Sequence, residues 1–213
     1  MHKVSFSVLL CLAASLSSFA QKDWSAIESD LYRQMTDKKI TTEEWSFRLR
    51  KDAGYFDRLS LWVEDESEIS DKSTEKIKLY FPADFKVVMP NGNTFAKAYL
   101  LNNTADSIEI ARIDATLANV QEYYFIKNKW VAFRTNGTST CGNSYFSNKL
   151  PPNRQLTLEL TNDILTDGTK KIPYKISIVI GSQQIESNVI TVKLHDTQLK
   201  RMMEGVSKLN NKL

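Results

Sequence analysis

From Leu59 to Leu194 the apolar residues recur with a period of two, and this alternation constrains the fold more than any other feature of the chain. Short runs rich in β-branched and aromatic residues follow one another, each closed by turn chemistry. The runs are Leu59 to Val63, Ile77 to Phe81, Phe85 to Met89, Phe95 to Leu101, Ser107 to Leu117, Val120 to Ile126, Trp130 to Arg134, Leu156 to Leu160, Ile172 to Ile180 and Gln184 to Leu194. Between them lie an acidic loop from Glu64 to Glu75, Pro90 to Asn93, Asn102 to Asp106, Lys127-Asn128-Lys129, Asp167-Gly168 and Gly181-Ser182. No helix alternates with the runs, which argues against a parallel sheet. The expected fold is mainly β, an antiparallel β-sandwich over residues 59–194.

Helical periodicity flanks this region. Trp24, Ile27, Leu31 and Met35 fall at helical intervals. Thr41 and Glu44 have the spacing of a capping box, with Ile40 and Trp45 placed as a hydrophobic staple. Trp45, Leu49, Ala53 and Phe56 would then share a face, and Gly54 is placed to end that helix. Residues 21–58 therefore read as a helical N-terminal segment. Residues 195–213 read as a C-terminal amphipathic helix with Leu199, Met202, Met203, Val206 and Leu209 on one face and Asp196 or Thr197 as N-cap. Gly205 weakens it by about 1 kcal/mol relative to alanine.

Residues 1–20 read as a secretory signal peptide. Lys3 is basic, Val4 to Ala14 are apolar, and Ser18-Phe19-Ala20 before Gln21 fits a small-x-small cleavage site. Cys11 belongs to the apolar region, since Leu10 stands where lipidation wants a small residue. That run is too short to span a bilayer of roughly 30 Å, and no transmembrane segment is expected. Localisation is expected to be exported: periplasmic, cell-surface or extracellular. Without Lys3, 27 of the 28 basic side chains oppose 25 acidic ones. Such a balance is no footprint for nucleic acid. Cys141 would be the one cysteine of the mature chain, so no internal disulfide is expected, and a buried, inert thiol is the expectation for it.

From about Phe85 to Leu194 the chain resembles the immunoglobulin-like β-sandwich modules of exported bacterial proteins. The resemblance rests on Asn91-Gly92, the hairpin around Asn128, Leu150-Pro151-Pro152 before Leu156-Thr157-Leu158, and Ser187-Asn188-Val189-Ile190-Thr191-Val192. The disulfide of antibody-type domains is missing, so architecture alone carries over. It implies export and recognition or scaffolding, with no catalytic residues to transfer.

Chemistry-bearing groups are few. His195 is the only histidine after residue 20, which excludes a site built on two. Cys141 with His195 could form a thiol nucleophile and base, but no local nucleophile motif supports the pair. Glu64-Asp65-Glu66-Ser67-Glu68 with Asp71 could gather around calcium, yet lacks the glycine-punctuated spacing of such a loop and reads as a solvated connection. No phosphate-binding glycine run occurs, and no cofactor or metal is expected. Asn102-Asn103-Thr104 and Asn136-Gly137-Thr138 match N-glycan acceptors, and Asp106-Ser107-Ile108 an O-glycan acceptor, all marking surface turns.

Aromatics are the richer signal. Tyr123, Tyr124, Phe125, Trp130, Phe133, Tyr145 and Phe146 crowd into a small part of the β region beside the polar segment Thr135 to Ser144. Strand alternation sends Tyr123 and Phe125 one way and Tyr124 the other, so some leave the core. Core packing is the competing reading for all of them. Tyr123, Tyr124, Trp130 and Tyr145 are taken as the candidate ligand-binding residues. The expected function is non-catalytic binding of an envelope protein, a glycan or a surface. A second reading is a structural component that docks or oligomerises through its terminal helices, and a third a carboxylate-dependent hydrolase.

Overall fold

The computed structural model describes residues 23–69, 74–90, 94–160 and 168–210. The signal-peptide reading, Asp71, the Asn91-Gly92 turn and the Asp167 turn lie outside them, as do the side chains of Val206 and Leu209.

Strands dominate, and every pairing is antiparallel. The larger sheet contains β1 (Leu61–Glu68), β2 (Ile77–Tyr80), β3 (Lys86–Val88), β4 (Thr94–Asn102), β5 (Ile108–Ile113), β6 (Thr116–Leu117), β9 (Tyr145–Leu150) and β10 (Arg154–Leu160). Its order is β2-β4-β10-β1-β6-β5-β9, with β3 also on β4. The smaller sheet contains β7 (Val120–Ile126), β8 (Lys129–Thr135), β11 (Lys170–Ile180), β12 (Gln183–Glu186) and β13 (Ile190–Leu194). Its order is β12-β11-β7-β8, with β13 also on β11. Both sheets contribute to one core: Leu61, Ala98, Leu100 and Leu158 from one, Tyr124, Tyr174, Ile176 and Val192 from the other. The arrangement is sandwich-like. Asn188 stitches the two together at one end, accepting from the Phe81 N–H at 2.7 Å and donating to the Phe81 carbonyl at 3.0 Å.

Among the described residues three helices accompany the sheets: α1 (Trp24–Thr36), α2 (Thr42–Ala53) and α3 (Asp196–Asn210). The Thr41 hydroxyl accepts from the Glu44 N–H at 3.1 Å. Gly54 closes α2 in the left-handed region at φ 61°. A side chain there would strike the Thr197 carbonyl of α3, so glycine is required twice over. Phe56 lies beyond this cap, not on the helix face expected for it, and packs on Phe133 and Tyr124 of the smaller sheet. At the start of α3 neither Asp196 nor Thr197 is the capping side chain. Gln198, fully buried, reaches back to accept from the His195 N–H at 3.0 Å, while the Thr197 hydroxyl donates to the carbonyls of Arg50 and Lys51 at the end of α2.

Each helix buries part of its apolar face inside the molecule. Leu31, Leu49 and Ala53 cluster between α1 and α2, and Met202 enters the core of the sheets. Arg201 of α3 binds Glu28 of α1 and the Ala53 carbonyl of α2. Trp24 donates to Glu204 at 2.7 Å. No helix among the described residues is long and apolar enough to cross a membrane.

Two expectations about the acidic and sulfur groups are overturned. Glu64 to Glu68 form no loop but the second half of β1, paired to β10 down to Glu68–Arg154, with Arg154 holding Glu66 at 3.0 Å. A neighbouring strand and a basic partner thus override the repulsion of the run. Cys141 is exposed, not buried, because it belongs to a polar loop whose Ser139 hydroxyl accepts its backbone N–H.

Candidate functional site

The β7–β8 hairpin positions most of the aromatics. Lys127 and Asn128 both have positive φ, 49° and 61°, which makes a two-residue turn of the type whose twist matches the strands it joins. Alternation along β7 then buries Val120, Glu122, Tyr124 and Ile126 and turns Tyr123 and Phe125 outward. The ladder shifts between Gln121 and Tyr123, so Glu122 is opposed by both Phe133 and Arg134 of β8. A bulge re-aims side chains. Here it lets two successive residues of β8 serve the inner face.

On the outer face, Trp130 meets Phe125 edge-on at 5.3 Å. Lys175 of β11 lies across this surface, its ammonium 4.7 Å from the Trp130 ring and 5.6 Å from the Tyr123 ring. Glu186 of β12 pairs with the Lys175 ammonium at 2.6 Å, and Gln184 donates to the Tyr123 hydroxyl at 3.2 Å. The lysine head is therefore fixed by one carboxylate and two π faces. Its side chain keeps only 13% of its exposure, whereas Trp130 keeps 36%. The product is an aromatic surface with a charged pair embedded in it, at the edge strand β8. Lys175, Gln184 and Glu186 escaped the sequence reading. A lysine between inward Tyr174 and Ile176 was the available signal.

Tyr124 is not part of that surface. It is fully buried, and its hydroxyl donates to the Glu122 carboxylate at 3.2 Å. Tyr174 donates to the same oxygen at 3.3 Å. Arg134 forks onto both carboxylate oxygens, one at 3.0 Å, and also donates to the Asp57 carbonyl while lying over Phe56. Register explains the placement: Tyr124 faces Tyr174 directly across β7 and β11, where the inner side is closed by Phe56 and Phe133. Burial, and then the charge of Glu122, push the Tyr174 hydroxyl well above the usual tyrosine value.

Tyr145 is also separated from the platform. It lies on β9, the edge of the larger sheet, 47% exposed, and its hydroxyl accepts from the Ser139 N–H and donates to the Ser139 carbonyl. That tie moors the loop carrying Cys141. Phe146 beside it lies under Arg112. His195 sits edge-on to Phe47 of α2 at 6.0 Å.

The asparagines of the glycan patterns are structural. Asn102 is fully buried and donates to the carbonyls of Leu150 and Asp106, so it is no surface acceptor. Asn136 bridges the Val120 N–H and the Leu117 carbonyl. On the larger sheet, Glu64 at the β1 bulge lies beside Glu159. Partial burial, and then the Glu64 charge, raise the Glu159 carboxyl above the ordinary glutamate value.

Comparison with protein-family models, with curated proteins and with solved structures finds no match to this chain.

Proposed function

We propose that this chain is an exported, non-catalytic binding protein that recognises another protein of the cell envelope through the outer face of its smaller sheet. One observation carries the reading: Tyr123, Phe125 and Trp130 are held on a solvent-facing surface beside the edge strand β8, around the clamped Lys175. Rigid aromatic rings bury much area at little entropic cost, which suits recognition of a protein surface. An edge strand can also accept a strand from a partner. The two facing antiparallel sheets are read as an immunoglobulin-like sandwich, and the apolar residues 4–14 as the core of an export signal. The scarcity of histidine and the missing nucleophile motifs support a role without catalysis.

The test is a crosslinked pull-down with tagged residues 21–213 from native envelope extract, run beside the Tyr123→Ser/Trp130→Ala double variant. A stoichiometric protein partner lost in the variant, with its circular dichroism unchanged, is the expected result. Equal capture by both chains, or a glycan as the only species retained, would overturn the reading.

A further inference from the structure

A second concave feature lies between α1 and α2, away from the sheet face and independent of the function proposed for it. Its volume is about 400 Å³, within the range of small-molecule sites. Tyr32, Trp45, Leu49 and Tyr55 supply its apolar and aromatic lining, and Arg50 and Asp57 its polar side. Tyr32 and Trp45 meet at 67° with ring centroids 6.4 Å apart. They form a corner, not a parallel slot, so a flat base or ring could not stack between them. Tyr32 stands at the rim, 58% exposed.

The polar groups are balanced. Arg50 and Asp57 pair loosely at 3.7 Å, and Glu28 of the lining is answered by Arg201. A net charge on the ligand would gain nothing here. Arg50 also donates to the Ser46 hydroxyl at 3.0 Å, which leaves donor and acceptor groups side by side on one wall. The Trp45 indole N–H is shut away from solvent and has no acceptor among the described residues.

From these features we propose that the α1–α2 cleft binds a neutral sugar ring. A hexose in its chair form has an apolar C–H face, which fits an aromatic corner. Its rim of hydroxyls both donates and accepts, matching the mixed wall of Arg50, Asp57 and Ser46. Lipids would leave that wall desolvated without partners, and anions would meet Asp57.

The test follows the Trp45 indole N–H resonance of residues 21–213, assigned by its loss in Trp45→Phe. The chain is titrated with glucose, galactose, mannose, N-acetylglucosamine, cellobiose and lactose. At least one sugar is expected to shift that resonance saturably, with Kd of order 1 mM or tighter. Arg50→Gln and Asp57→Asn should each weaken binding about tenfold or more, whereas Val88→Thr, at an exposed position on β3, leaves it unchanged. Folding of each variant is checked by circular dichroism, and Asp57→Asn stands alone if Arg50→Gln unfolds. No shift with any of the six sugars, or a shift of equal affinity in the folded cleft variants, overturns the proposal.

Discussion

Glu122 is a carboxylate at zero exposure, tolerable only because its two oxygens collect Arg134, Tyr124 and Tyr174. Removing one member of a buried pair leaves the other charged without compensation, which costs about 3–5 kcal/mol. Arg134→Met should therefore lower the unfolding free energy by about that amount in urea titration, and adding Glu122→Gln should recover part of the loss. Tyr174 adds a pH dependence. In the fold its hydroxyl stays protonated above the value of about 10 at which an unfolded tyrosine ionises. The folded state then holds the extra proton, so stability is complete below pH ~10 and falls as pH rises beyond it. Denaturation midpoints should drop through that alkaline range, and the slope should be shallower in Tyr174→Phe. An unchanged slope in the variant would remove Tyr174 from the account. The glutamate went unread in sequence, because strand alternation alone did not say which face of β7 turns inward with Val120, Glu122, Tyr124 and Ile126. Its partner went unread too, because Arg134 reaches the inner face only through the bulge, and a bulge is a property of two strands together.

At the level of elements, local signals carried furthest. Thr41 with Glu44, Gly54, and the Lys127-Asn128-Lys129 connection each act within a few residues and are found in place, except that Lys129 belongs to β8 and leaves a two-residue turn. Signals failed where a distant strand decides. β1 continues through five residues from Glu64 to Glu68 because β10 pairs with it, and β9 went unread because its exposed residues show no apolar alternation. α3 shows the same dependence. Its Met202 is fully buried in the core of the sheets, its Thr197 occupies the end of α2, and its Glu204 anchors Trp24. Losing a buried methionine side chain alone costs about 2–5 kcal/mol. Ending the chain after His195 should thus destabilise the whole molecule and strip hydrogen-exchange protection from α1 and α2 first. Full protection of those two helices in the shortened chain would contradict this packing.

For the molecule as a whole, alternation alone announced a mainly β, antiparallel architecture, and the aromatic density around residues 123–146 pointed to a surface worth finding. How those aromatics divide was beyond it. Tyr124 went inside, Tyr123 and Trp130 to one sheet's outer face, and Tyr145 to the far edge of the other, since each assignment depends on which strand lies next to which. The helix cleft was likewise invisible, being a space between elements and not a pattern within one. The contact of Arg201 with Glu28 spans 173 positions of the chain. A ribosome delivers residues 24–53 long before Arg201, Met202 and Glu204, the groups that close over them and the core. Until those residues emerge, the first two helices wait unfinished, their apolar sides uncovered. The fold seals by a step that joins residues 24–53 to the start of α3.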